Sequence, residues 1–126
     1  DPQAEGGTTT ITFDSANGKW IEAVPSLGGT IRNCAGGQTP WGSWLTAEED
    51  TTKAGSTVTV AGKQYTVKKD HGYVFEVFPD VVANQIPEPI KAWGRAVWEG
   101  AAIGPDLTDA YITEDTRDGL FSVDRT

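Results

Sequence analysis

Trp44-Leu45-Thr46-Ala47-Glu48-Glu49-Asp50 is answered further along the chain by Tyr111-Ile112-Thr113-Glu114-Asp115. Each is an aromatic and apolar run that ends in Thr and then in acids. A second echo follows each of them, His71-Gly72-Tyr73-Val74-Phe75-Glu76-Val77 and then Asp118-Gly119-Leu120-Phe121-Ser122-Val123. Two units therefore share one order: acid-tipped strand, turn glycine, apolar strand. In the first unit a stretch with its own hairpin is inserted between the two strands, and in the second the link is nearly direct. Strand units recurring at roughly 40 to 50 residues are the signature of β-propeller blades.

Working outward, short segments rich in Thr, Val, Ile and aromatics are punctuated by Gly and Pro, which predicts an all-β fold. Strands are expected at Thr8–Phe13, Lys19–Val24, Gly29–Asn33, Ser43–Glu48, Ser56–Val60, Gln64–Lys68, Tyr73–Phe78, Arg95–Ile103, Ala110–Thr113 and Leu120–Val123. Val58-Thr59-Val60 and Tyr65-Thr66-Val67, joined through Ala61-Gly62-Lys63, alternate as a hairpin should. The prolines of Asp80–Pro89 mark a loop, with a short helix expected at Asp80–Gln85. A propeller usually closes with about four to eight blades, and 126 residues hold about two. Such a chain has raw strand edges and needs further blades, from the same or other polypeptides. It opens at Asp1-Pro2-Gln3 with no starting Met and no apolar leader, the expectation for a processed chain or a piece of a longer one.

Charge narrows the partners. Ten Lys plus Arg against 18 Asp plus Glu give a net charge of -8. A nucleic-acid footprint is basic, so nucleic acid is an unfavourable partner and cations are the better one. Acidic charge also serves plain solubility. No apolar run approaches the roughly 18 residues of a membrane span, and one cysteine makes no internal disulfide.

Several positions carry candidate chemistry. Cys34 lies in Ile31-Arg32-Asn33-Cys34-Ala35-Gly36-Gly37, where flanking glycines let the backbone fold back on the thiol and Arg32 favours the thiolate. The competing reading is a small buried hydrophobe. Alternation puts Glu48 and Asp50 on one side of their strand and Glu49 on the other. Glu49, with Glu99, Glu114 and Asp115, offers oxygen ligands for a hard cation such as calcium, or else each acid is a solvated strand end. Glu99 stands in an apolar, small-residue strand, where a carboxylate is costly unless paired or bound to metal. Arg95, four residues earlier, shares its face and either pairs with Glu99 or holds a phosphate. His71 reads as a turn residue. No phosphate-cradling loop, Ser-His-Asp arrangement or metal finger is present in the sequence.

The run Gly29-Thr-Ile-Arg-Asn-Cys-Ala-Gly-Gly-Gln-Thr-Pro-Trp-Gly-Ser-Trp-Leu-Thr-Ala-Glu-Glu49 resembles the N-terminal part of the PhoX-type alkaline phosphatases. So do His71-Gly-Tyr-Val-Phe-Glu-Val77, Gly94-Arg95, Glu99-Gly-Ala-Ala102, Tyr111-Ile-Thr-Glu-Asp115 and Asp118-Gly-Leu-Phe121. The resemblance spans nearly the whole chain. It implies that residues 1–126 are the N-terminal portion of a large β-propeller, exported by bacteria to the periplasm or beyond, that hydrolyses phosphate esters using iron and calcium. It carries iron ligation to Cys34 and metal ligation to Glu49 and Glu99. Two positions depart from the family pattern: Ala47 stands where a Cys is usual, and Trp98 where a His is usual. The resemblance therefore implies little activity for this chain alone. The rival from another class is a non-catalytic subunit that adds its exposed edge to partner chains by strand pairing. A calcium-stabilised adhesive module is a third.

Overall fold

The computed structural model describes residues 1–80, 85–117 and 119–125. The short helix expected at Asp80–Gln85 falls largely on residues 81–84, and Asp118 of the second echo is position 118; both lie outside the described residues. Ten strands follow one another: β1 (Gly6–Asp14), β2 (Lys19–Thr30), β3 (Gly37–Gln38), β4 (Trp44–Ala47), β5 (Thr57–Val60), β6 (Lys63–Thr66), β7 (Val74–Val77), β8 (Trp98–Ile103), β9 (Asp109–Glu114) and β10 (Gly119–Asp124). A single 3-10 turn, Lys91–Trp93, is the helical content of the described residues. The all-β expectation holds. Of the strand expected at Gly29–Asn33 only Gly29 and Thr30 are strand, as the end of the long β2, because the chain turns at Arg32; β8 starts at Trp98, leaving Arg95 outside it.

The pairing follows the two echoes. β4 pairs antiparallel with β7, Thr46 opposite Phe75, and β9 pairs antiparallel with β10, Ile112 opposite Phe121. Each pair gains a third strand, giving the sheets β3-β4-β7 and β8-β9-β10. The insertion in the first unit is a separate β5-β6 hairpin, with Val60 opposite Lys63. Its two-residue turn has Ala61 at φ 49° and Gly62 at φ 80°. Positive φ at both positions matches the twist of the flanking strands. The described residues form these small antiparallel sheets and no closed barrel or propeller.

Alternation builds the core between the two three-stranded sheets. Leu45 and Ala47 of β4 and Val74 of β7 meet Trp98 and Ala101 of β8, and Ala110 and Ile112 of β9, with Trp93 closing the cluster. Leu27, Phe75 and Val77 make a second, smaller cluster on the other face of β7. Ala47 and Trp98, the two departures from the family pattern, are thus core residues; Trp98 meets Phe121 edge to face at 5.5 Å.

The sheets are joined where backbones touch. Gly36 N–H donates to Glu99 O at 2.7 Å, and Ala101 N–H donates to Gly36 O at 3.1 Å. A methyl group on Gly36 would lie 1.8 Å from Leu45 O, and one on Gly37 1.8 Å from Ala101 O. The Gly-Gly pair is what lets this segment pass between β4 and β8. Away from this body, β1 and β2 form a two-stranded ribbon whose outer half exposes Ile11, Phe13, Trp20 and Ile21.

Candidate functional site

The site grows from the end of β2. After Thr30 the chain turns at Arg32, whose φ of 45° places a bulky residue in a sparsely used conformation. Asn33 fixes the turn. Its Oδ1 accepts from Thr30 Oγ1 at 2.6 Å, and its Nδ2 donates to Thr46 Oγ1 at 2.9 Å. The next residues run antiparallel to the end of β4: Cys34 N–H donates to Ala47 O at 2.8 Å, and Glu49 N–H donates to Arg32 O at 3.0 Å. This short ladder sets Asn33 opposite Glu48, so Cys34 lies two places along the chain from Arg32, the residue opposite Glu49, although fourteen other residues separate Cys34 and Glu49 in sequence.

The two side chains open into different hollows. Cys34, half-buried, lines one of about 560 Å³ with Thr8, Ser26, Asn33, Trp44 and Thr46. Glu49 lines another of about 470 Å³ with Arg32, Asp50, Thr51, Val97 and Asp115. There Arg32 approaches Glu49 at 3.4 Å. Glu99 is half-buried on β8, next to the cysteine loop through the Gly36 N–H bond to its carbonyl. Glu114, also expected as an oxygen ligand, is buried and accepts from Arg117 N–H at 2.8 Å. Among the described residues, no three His, Cys, Asp or Glu side chains come together as a metal-ligand set. Cys34, Glu49 and Glu99 share one backbone neighbourhood but do not by themselves fit a metal shell.

Arg95 is a clamp. Its Nε donates to His71 O at 2.7 Å, and its Nη2 donates to Thr51 O at 3.0 Å and Thr52 O at 3.3 Å. Nη1 lies 3.7 Å from Asp70, and the guanidinium stands 5.8 Å from the centre of the Tyr73 ring. The pairing with Glu99 anticipated from a shared strand face does not form, because Arg95 precedes β8. Asp70 titrates below the usual carboxylate range, first because Ala54 N–H donates to it at 2.9 Å, with the Arg95 charge adding to the effect.

The most deeply buried polar group at the site escaped the sequence reading. Glu48 is 0% exposed. Its Oε1 accepts from Ile31 N–H at 2.9 Å and faces His71 Nδ1 at 2.7 Å. Its Oε2 accepts from Gly72 N–H at 2.7 Å and Tyr73 N–H at 3.1 Å. The other ring nitrogen of His71 faces Asp1 Oδ2 at 3.3 Å, and that oxygen also takes Lys68 N–H and Lys69 N–H. His71 is therefore a buried link between two carboxylates, and its turn carries the donors for one of them. The signal the sequence carries is slight: Glu48 follows the apolar run Trp44-Leu45 and Ala47, and alternation sends it to the side opposite Glu49.

An all-β chain with a cysteine loop laddered onto an acid-tipped strand is the class this geometry defines. The family model described as alkaline phosphatase PhoX matches residues 2–122, and the chain belongs to that family. No curated protein and no solved structure matches it significantly. Membership indicates a phosphatase-related function and metal cofactors in general. No helix of the described residues is long and apolar enough to cross a membrane.

Proposed function

We propose that residues 1–126 are the N-terminal portion, about two blades, of a β-propeller that hydrolyses phosphate esters, secreted to the periplasm or outside of a bacterial cell. The observation that carries this reading is the family match over residues 2–122. In support, the two three-stranded sheets pack through one core, as neighbouring blades do, and the motif residues lie along the ladder and seam that join them. The remaining blades come from the same or other chains. Cys34, Glu49 and Glu99 are the proposed metal-facing residues, thiolate suiting iron and carboxylate suiting calcium. Donors beyond these three complete the shells. Ions held with the help of these residues would supply positive charge against phosphoryl oxygens, which an acidic protein needs to take an anionic substrate. Arg95 serves the site by holding the Thr51–Thr52 backbone beside Glu49 and Asp50. Neither nucleic acid nor a membrane span belongs to this reading.

The test is metal analysis of the intact assembly together with hydrolysis of p-nitrophenyl phosphate. Iron or calcium bound in proportion to protein, with hydrolysis lost on chelation, supports the reading. An assembly with neither metal nor hydrolysis overturns it.

A second reading, a non-catalytic subunit with the same fold, is favoured by one observation. Ile11, Phe13, Trp20 and Ile21 leave an apolar surface exposed on the ribbon, and exposed apolar patches mark association surfaces. Cys34→Ser separates the two readings, since a structural subunit still assembles whereas a metal enzyme loses its metal.

A further inference from the structure

We infer that Glu48 is a positioning residue: its buried carboxylate ties two chain segments to the tip of β4 and thereby sets the Cys34 loop against Glu49. The placement rests on hydrogen-bond geometry alone, and only the importance given to Cys34 and Glu49 rests on the phosphatase reading.

Four donors converge on this carboxylate, none from its own strand. Ile31 N–H comes from the segment that leads to Cys34, Gly72 N–H and Tyr73 N–H from the segment that leads into β7, and the His71 ring from the same turn. The two backbone bonds that dock the cysteine loop flank Glu48 on either side: Ala47 O receives Cys34 N–H, and Glu49 N–H reaches Arg32 O. The peptide of Glu48 itself is pinned as well. Its N–H donates to Tyr73 O at 3.0 Å, and its carbonyl receives Trp98 N–H at 3.0 Å. Through carboxylate and peptide together, Glu48 thus stands where the cysteine loop, the tip of β4, the turn before β7 and the start of β8 meet.

Burying a carboxylate is expensive, and an apolar residue of similar volume fills such a space at lower cost. What an apolar residue does not do is receive Ile31, Gly72 and Tyr73 at once. Glutamine is nearly isosteric but worse placed than it looks. Its NH₂ must point either at Ile31 N–H and His71 or at Gly72 N–H and Tyr73 N–H, setting donor against donor on one side. A buried donor left without an acceptor carries its full desolvation penalty. Glu48→Gln therefore loosens one of the two segments while leaving the volume of the core unchanged.

The readout is the reactivity of the Cys34 thiol toward iodoacetamide, followed by mass spectrometry at a temperature where each protein is fully folded. Ile112→Val, a trimmed core residue on β9 away from the carboxylate, is the control for destabilisation alone. Glu48→Gln is expected to raise the alkylation rate about tenfold or more through local opening of the loop, with the control within about twofold. An unchanged rate in Glu48→Gln, or equal acceleration in the control, overturns the proposal. Hydrogen exchange of the unaltered protein tests it without any variant, should Glu48→Gln not fold. The amides of Ile31, Cys34, Glu49, Gly72 and Tyr73 are expected to open as one unit. Exchange of Cys34 and Glu49 amides far ahead of Gly72 and Tyr73 overturns it. Neither measurement involves metal or phosphate, so failure of the phosphatase reading leaves this result standing and the converse is equally visible.

Discussion

Gly37→Ala tests whether the two sheets are held at one backbone seam. The new methyl group would lie 1.8 Å from Ala101 O, and the atoms it meets are main chain, so nothing flexible is there to swing aside. Real contacts of this kind are no shorter than 3.0 Å, so β3 and β8 must part by more than an ångström. Overpacking of that sort costs about 1–3 kcal/mol. The separation also stretches the two bonds of Gly36 with Glu99 O and Ala101 N–H, each contributing about 0.5–1.5 kcal/mol. The sum, about 2–6 kcal/mol, is a large share of the roughly 5–15 kcal/mol that stabilises an ordinary domain. For a chain of this length it lowers Tm by about 10–20 °C. Calorimetry gives the shift, and near-ultraviolet circular dichroism reports on Trp93 and Trp98 in the core beside the seam. Gly28→Ala is the matched control, because a methyl group there meets nothing within 4 Å; it is expected to change stability by less than about 1 kcal/mol. A Gly37→Ala protein that melts within about 3 °C of the parent, or a Gly28→Ala protein that falls as far, refutes the seam.

Arg95→Lys keeps the charge but not the planar fork that spans His71 O, Thr51 O and Thr52 O, and it is expected to cost about 1–3 kcal/mol in urea unfolding; an unchanged midpoint contradicts the clamp. Asp14 titrates below its ordinary 3.8, first through the side-chain bond from Asn17 and then through backbone N–H bonds at the ribbon's turn. A depressed folded pKa means the stabilisation is present above the ordinary value and is lost as pH falls through the folded one. The urea midpoints of the parent and Asp14→Asn should accordingly differ at pH 7 and converge near pH 2; a gap that widens in acid has the sign wrong. Trp20 is 73% exposed at the outer end of the ribbon and meets only the Phe13 ring, at 4.7 Å, among the aromatic contacts of the described residues, so Trp20→Ser should cost no more than about 1 kcal/mol. If the ribbon docks on other chains, the same substitution weakens assembly in sedimentation velocity, and an unaltered distribution removes that role.

Most of the fold was legible because the two echoes are a statement about pairing. Leu45 and Ala47, and Ala110 and Ile112, alternate with polar or exposed neighbours, and two-residue periodicity fixes which side of β4 and β9 faces the core, whereas Val74 is followed by the buried Phe75 because β7 is covered on both faces. The site was legible only in part. Glu49 and Glu48 are adjacent identical residues, and alternation correctly sends them to opposite sides. Nothing in the sequence says that Glu48's side holds Ile31, Gly72 and Tyr73 amides, since those arrive from distant segments. His71 misleads for the same reason: a histidine before a glycine looks like a turn, and it is one, yet the turn is folded inward against two carboxylates. Arg95 misleads through strand length, because a face shared with Glu99 requires a strand that begins before Trp98.

The glycines beside Cys34 show how chemistry and mechanics overlap in one motif. From sequence they suggest room around a thiol. In the structure Gly36 lies against the backbone of β4 and Gly37 against that of β8, and the cysteine loop is the piece of chain caught between them. The residues of Ile31–Gly37 hold several neighbours: Ile31 the Glu48 carboxylate, Arg32 and Cys34 the tip of β4, Asn33 the Thr30 and Thr46 hydroxyls, Gly36 the backbone of β8, and Gly37 pairs with Leu45 of β4. Further on, Glu76 of β7 takes the Trp41 indole N–H at 2.6 Å and the Ser43 hydroxyl, so the motif's second half is tied to the same sheet. A long uninterrupted motif is therefore what a strand-to-strand junction demands when several backbones meet at one place. Replacing Cys34 alone should leave that junction intact, because its bond to Ala47 O runs through the backbone N–H while its side chain lines a hollow.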